Sequence, residues 1–127
     1  MSSAFKDRRN RRHCGVFRSF LYACAGINSA LKNETNMKIH FFISFFVIGA
    51  GFFFSLSPVE WLFVLFAIGG MLSLELINTA IERAVDLVTK EEHPLAKEAK
   101  DIAAGAVLIY AVLSVAVGLI IFIPKLL

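Results

Sequence analysis

Four polar residues, Glu75, Asn78, Glu82 and Asp86, follow one another at steps of three, four and four along an otherwise largely apolar stretch. On a helix those steps put all four side chains on one face. A carboxylate at membrane depth costs roughly 2.5 kcal/mol or more on insertion scales, so acids persist there when they are paired, protonated or turned toward a polar cavity. Polar residues can also simply hydrogen-bond membrane helices together, and Asn78 alone would serve that purpose. Three acids with an amide are more than such a tie needs, and they point to function. Glu75 and Glu82, two helical turns apart, stand about 10 Å from each other along the axis, which suits two separate tasks. Mg²⁺ takes carboxylate and phosphate oxygens, usually with only one or two protein carboxylates. Glu82 reads as a metal ligand with Glu34 as a second, and Glu75, deeper in the apolar run, as the acceptor of a proton from an alcohol.

A transferring phosphoryl group needs a cation, and Lys100, beside Asp101, supplies one at the edge of the last apolar run. A Lys-Asp pair at a helix start is more often surface and dipole chemistry; its short distance in sequence from the acidic stripe is what draws it into the site. No Gly-x-x-x-x-Gly-Lys-[Ser/Thr] loop and no soluble-kinase signature occurs, so a nucleotide would be held by side chains. His93, followed by Pro94, stands where it could touch nucleotide or simply face water. His13 and His40 show no role by spacing. Cys14 and Cys24 lack metal-ligand spacing and read as bystanders.

The elements that must position these groups are helices in a bilayer. The chain has 127 residues, 57% of them hydrophobic, with thirteen Phe. A soluble domain of that length cannot bury so much apolar surface. The basic opening from Lys6 to Arg12 is not followed by a short apolar stretch and a cleavage site, so no secretory signal is expected there. Residues 39–56 form a first span without an acid. Ser57, Pro58 and Glu60 carry the pattern of a helix start, with Ser as cap, Pro at the first position and Glu reaching back. A second helix is expected over 58–88, apolar to Leu74 and mixed beyond it, and a third over 95–123, stopped by Pro124. Upstream, Phe17, Phe20, Leu21, Cys24, Ile27 and Leu31 share one helical face, as in an amphipathic surface helix over about 16–37.

Eight of the thirteen Lys and Arg precede the first span and none lies between Ser57 and Glu60. The positive-inside rule then puts the N-terminus and the loop around Lys90 in the cytoplasm, and Ser57-Pro58 and Lys125 outside. Attraction to anionic headgroups accounts for the basic opening, and no nucleic-acid partner is expected.

With these residues in view, the chain resembles the bacterial integral-membrane diacylglycerol kinase family. Glu75-Leu-Ile-Asn78-Thr-Ala-Ile-Glu82 with Asp86, the run from His93 to Asp101, and Asn33-Glu34 carry the resemblance, which covers about residues 18–127. The loop HPLAKEAKD and the ending IFIP are similar to the Gram-positive branch, mainly undecaprenol kinases. The resemblance implies an all-α membrane protein of the bacterial inner membrane, three spans after an N-terminal surface helix, forming one domain and assembled as a homotrimer with shared active sites. It implies that Glu75 accepts the proton, that Glu34 and Glu82 bind Mg²⁺ and ATP, and that Lys100 and Asp101 contact the phosphates. Asn78 matches a position close to the reacting groups and Asp86 a further acidic one, while Arg18, Tyr22, Glu91 and His93 match positions lining the nucleotide site. Ala104 departs from the serine of Gram-negative relatives, which weighs against a diacylglycerol preference.

Oligomerisation is expected independently, because a single small subunit cannot wall off a polar stripe from lipid on all sides. The leading expectation is ATP-dependent phosphorylation of a lipid alcohol, undecaprenol to undecaprenyl phosphate, with diacylglycerol to phosphatidic acid as the alternative. A proton- or ion-conducting relay through Glu75, Glu82 and Asp86 is a remoter rival. A relay would continue its polar residues outward past Gly69 and Gly70, whereas Trp61 to Leu72 is apolar.

Overall fold

The computed structural model describes residues 15–127; the basic opening from Lys6 to Arg12, His13 and Cys14 lie outside the described residues. Those described residues form four α-helices: α1 (Gly15–Asn33), α2 (Thr35–Phe53), α3 (Pro58–Val88) and α4 (Pro94–Leu126). The chain divides into two compact units, one ending at Asn33 and the other running from Glu34 to Leu127.

In the first unit, α1 carries Phe17, Phe20, Leu21 and Ile27 on one exposed side, the arrangement of a helix that lies in an interface. Arg18 and Tyr22 stand one turn apart on a different side. At the C-terminal end the Asn33 amide donates to the Ser29 carbonyl at 2.9 Å.

The expected continuation of this helix to about residue 37 does not occur. Glu34 adopts an extended backbone (φ −109°, ψ 119°) and becomes the N-cap of α2. Neither Gly nor Pro marks the break; it is a single residue leaving helical geometry.

The second unit holds α2, α3 and α4, each long and apolar enough to cross a membrane. α2 ends at Phe53, earlier than the apolar run does, because Ser55 turns to φ 53°. The Leu56 N–H then returns to the Gly51 carbonyl at 3.1 Å and the Phe54 N–H to Ala50 at 2.9 Å, so carbonyls left over at the helix end are satisfied. α3 starts at once. Ser57 Oγ accepts from the Glu60 N–H at 3.3 Å and Glu60 Oε2 accepts from the Ser57 N–H at 2.8 Å, a reciprocal cap that aims the second span back along the first.

Close approach between spans is bought with glycine. At Gly51 a Cβ would stand 2.6 Å from the Trp61 ring, and at Gly70 only 2.0 Å from the Tyr110 hydroxyl. That hydroxyl donates to the Phe66 carbonyl at 2.6 Å, fastening α4 to α3 in mid-span. At the hairpin end Leu56, Val64 and Ile121 form a small buried core with Trp61 and Phe122 against it. Lys125 lies 3.2 Å from Glu60 and joins the same ends of α3 and α4.

The stop expected at Pro124 is not observed, since that residue lies inside α4. Proline removes one N–H bond, the one toward the carbonyl four residues earlier. Near a helix end few bonds remain to be disturbed, and the Leu127 N–H still closes on the Ile123 carbonyl at 3.3 Å.

Two stability predictions follow from these contacts. Ser57→Ala should lower the unfolding free energy in mixed detergent by about 1 kcal/mol, the usual cost of a lost cap. Gly70→Val should cost at least about 1–3 kcal/mol through overpacking, and adding Tyr110→Ala should recover part of that loss; equal stability of the single and double variants would refute the close approach.

Candidate active site

On α3 the buried residues Val64, Met71, Glu75, Asn78 and Thr79 belong to one inward seam. Its first half is apolar, and the change of chemistry comes at Glu75. Glu75 is 3% exposed and Asn78 8%; Glu82 is half-buried and Asp86 exposed. The stripe thus runs from enclosed carboxylate to solvated carboxylate along a single helix.

Each acid has its own partner. Glu75 Oε1 lies 3.3 Å from His40 Nε2 on α2. Asn78 Nδ2 donates to Glu82 Oε1 at 3.3 Å, and Asn78 Oδ1 is buried with no hydrogen-bond partner among the described residues. Arg83 Nη2 donates to Glu34 Oε1 at 3.1 Å, tying α3 to the cap residue of α2. Lys100 Nζ donates to Asp86 Oδ1 at 2.5 Å, which brings the start of α4 to the polar end of the stripe. Asp101, next to Lys100, pairs instead with Lys97 one turn back at 2.5 Å.

The loop between α3 and α4 is short and internally braced. The Glu91 N–H donates to Thr89 Oγ1 at 3.2 Å. His93 Nδ1 accepts from the Leu95 N–H at 3.2 Å, so this imidazole caps α4, and its side chain has a structural task in addition to any contact with nucleotide. Glu91 and His93 are exposed in this loop, while Arg18 and Tyr22 belong to α1 in the other unit. Ala104, where the resemblance sets a lipid-facing position, is exposed on α4.

Alongside the stripe, α2, α3 and α4 line a half-open cavity of about 280 Å³, walled almost wholly by apolar side chains and including His40, Met71 and Phe122 in its lining. Two hydroxyls face it. Ser44 Oγ is spent on the His40 carbonyl at 2.7 Å, and Ser114 Oγ is buried without a partner among the described residues. Met71 and Glu75 are one turn apart, so the apolar cavity and the buried carboxylate are neighbours on α3.

The helix spacing of the stripe was readable from sequence; the partner of Glu75 was not. Spacing alone gives His40 no role. The signal that could have found it is its place as the one titratable side chain within the first apolar run, IHFFISFFVIGAGFFFSL, where a polar ring needs a polar neighbour. Among the described residues no group of three or more His, Cys, Asp or Glu stands ready to hold a metal ion. A divalent cation at Glu34 or Glu82 would therefore need oxygens from elsewhere, and phosphates are the usual source. The present partner of Glu34 is itself a cation, Arg83, so this carboxylate already sits where positive charge is favoured.

The sequence profile described as prokaryotic diacylglycerol kinase matches residues 21–122. The chain is 50% identical over 121 residues to the undecaprenol kinase of Bacillus subtilis (strain 168), covering 95% of this chain and 98% of that one. It is 42% identical over 110 residues to the diacylglycerol kinase of Synechocystis sp., covering 86% of this chain and 63% of that longer protein. It is 32% identical over 94 residues to the diacylglycerol kinase of Haemophilus influenzae, with coverage of 74% and 80%. Matched by that profile over residues 21–122 and half identical to a kinase over 95% of its length, the chain belongs to the prokaryotic diacylglycerol kinase family and is a lipid kinase.

Proposed function

We propose that the chain, acting as a single membrane-embedded kinase domain, transfers the γ-phosphoryl group of ATP to undecaprenol and releases undecaprenyl phosphate. The observation that carries this reading is Glu75, a carboxylate enclosed among the spans next to an apolar cavity. Undecaprenol as acceptor is supported by the 50% identity to a protein named for that activity. Diacylglycerol is the second candidate, supported by the relatives named diacylglycerol kinase.

In this mechanism Glu75 accepts the proton of the lipid hydroxyl. The alcohol oxygen forms the new bond to the γ-phosphorus as the bond to the bridging oxygen of ATP breaks, and ADP leaves with that electron pair. Such a transfer depends on positioning and on neutralising charge more than on covalent chemistry. Lys100 provides positive charge toward the phosphates and would exchange Asp86 for them, with Asp101 beside it. Asn78 holds Glu82 in place through its amide. Glu34 and Glu82 would hold Mg²⁺, whose charge offsets that of the β- and γ-phosphate oxygens when it is bound. The resemblance assigns Arg18, Tyr22, Glu91 and His93 to the nucleotide as well.

The working form in this proposal is a homotrimer with shared active sites in the bacterial inner membrane, with the N-terminus and site on the cytoplasmic side. The excess of Lys and Arg before the first span supports that orientation. Asn78 Oδ1, buried with no partner among the described residues, supports a further polar group from a neighbouring subunit or a ligand.

Three measurements test these assignments. With labelled ATP and purified lipids, wild type should phosphorylate undecaprenol faster than diacylglycerol. Glu75→Gln should lower turnover about 10²–10⁴-fold, the range for losing a general base; equal turnover would remove Glu75 from that role, and no transfer to either lipid would remove the proposal. Glu34→Gln and Glu82→Gln should each raise the Mg²⁺ concentration for half-maximal rate by at least about tenfold, since loss of an outer partner alone costs that much. Sedimentation equilibrium in density-matched detergent should give the mass of three chains.

A further inference from the structure

We propose that His40 is the positioning residue of the kinase site: its Nε2–H holds Oε1 of Glu75 so that the other carboxylate oxygen, Oε2, is the one presented to the lipid hydroxyl. This inference rests on the reading of Glu75 as the proton acceptor.

Two helices meet at this contact. His40 comes from α2 and Glu75 from α3, with 3.3 Å between Nε2 and Oε1. A carboxylate with its side chain only 4% exposed needs a donor to remain in a span. His40 Nε2 is the polar atom that faces it, at 3.3 Å, and catalytic contacts of this length shorten and align when the substrate complex closes. A carboxylate whose side chain could rotate freely would present its oxygens in many directions. Anchoring one oxygen across the helix pair leaves a single direction for the other, and fixed direction is a large part of what accelerates a proton transfer.

The surroundings of His40 favour this role over simple packing. Its side chain is 26% exposed and belongs to the lining of the apolar cavity, whose other polar side chains are Ser44 and Ser114. An imidazole placed there for volume alone would carry two ring nitrogens into an apolar lining. The carbonyl of His40 accepts from Ser44 Oγ at 2.7 Å, so this turn of α2 is itself braced. The polar end of the cavity and the proton acceptor are thereby joined through one side chain. An alcohol whose chain lies along the cavity would bring its hydroxyl to the His40–Glu75 pair.

The test compares His40→Phe, His40→Gln, His40→Asn and Glu75→Gln with wild type, measuring kcat and KM for ATP and for the lipid alcohol in mixed micelles. His40→Phe keeps an aromatic ring and removes the donor; kcat should fall about 30-fold, the scale of one lost hydrogen bond to a charged group, with KM for ATP within about twofold. The longer amide of His40→Gln reaches the same place and should restore kcat to within about threefold of wild type, whereas His40→Asn falls short and should resemble His40→Phe. In a Glu75→Gln background, His40→Phe should cost nothing more, because the two act as a unit. Thermal unfolding shows whether His40→Phe is folded; if it is not, the Gln and Asn pair decides. Equal rates for Gln and Asn, a full-rate His40→Phe, or additive losses with Glu75→Gln would overturn the role of His40 while leaving Glu75 as the base. Undiminished turnover by Glu75→Gln alone would overturn the base reading and this inference with it.

Discussion

A carboxylate set among apolar spans must be enclosed and partnered, and the second unit of this molecule is arranged around that requirement at Glu75. Exposure of only 3% would be prohibitive for a lone charge. The imidazole of His40 reaches it from the neighbouring helix at 3.3 Å, and the tight turn after α2 is what lays the two helices side by side. The reciprocal cap at Ser57 and Glu60 is therefore more than an end detail. It fixes the direction in which α3 leaves the turn, and with it which residue of α2 stands opposite Glu75.

The same helix serves two solvents. Up to Met71 its inward seam is apolar and packs as any membrane helix does, whereas from Glu75 it is polar and meets side chains that carry charge. Ties between helices follow that division: Glu34 with Arg83 and Asp86 with Lys100 gather at the polar end. A phosphoryl transfer between a water-soluble nucleotide and a lipid needs this graded boundary, because one reactant arrives from each side. The lipid kinase family to which the chain belongs accounts for both faces of it.

The spans, the cap at Ser57 and the shared face of the acidic stripe were legible because each is written in local periodicity, hydropathy or neighbouring residue types. Other features were less so. The break at Glu34 has no Gly or Pro to announce it; a single residue leaves helical geometry there. Pro124 carries a strong stop signal, yet so close to the end of α4 the loss of one N–H bond changes little. His40 illustrates the limit most clearly: its partner lies 35 positions away, and no pattern within α2 identifies it. Pairings across a bundle arise from tertiary contact, and a single sequence exposes them only as an unexplained polar residue in an apolar run.

The fastenings between α3 and α4 also act as a ruler. Glu60 with Lys125, Phe66 with Tyr110 and Asp86 with Lys100 join the two helices near one end, toward the middle and near the other. From Glu60 to Asp86 is 26 residues and from Lys100 to Lys125 is 25, so the antiparallel lengths between the two end ties agree to one residue. Sliding either helix by a turn, about 5.4 Å, would break every tie at once. Register is thus quantised, and these ties set the height of Lys100 above Glu75, much as notches on a rail fix the position of a carriage.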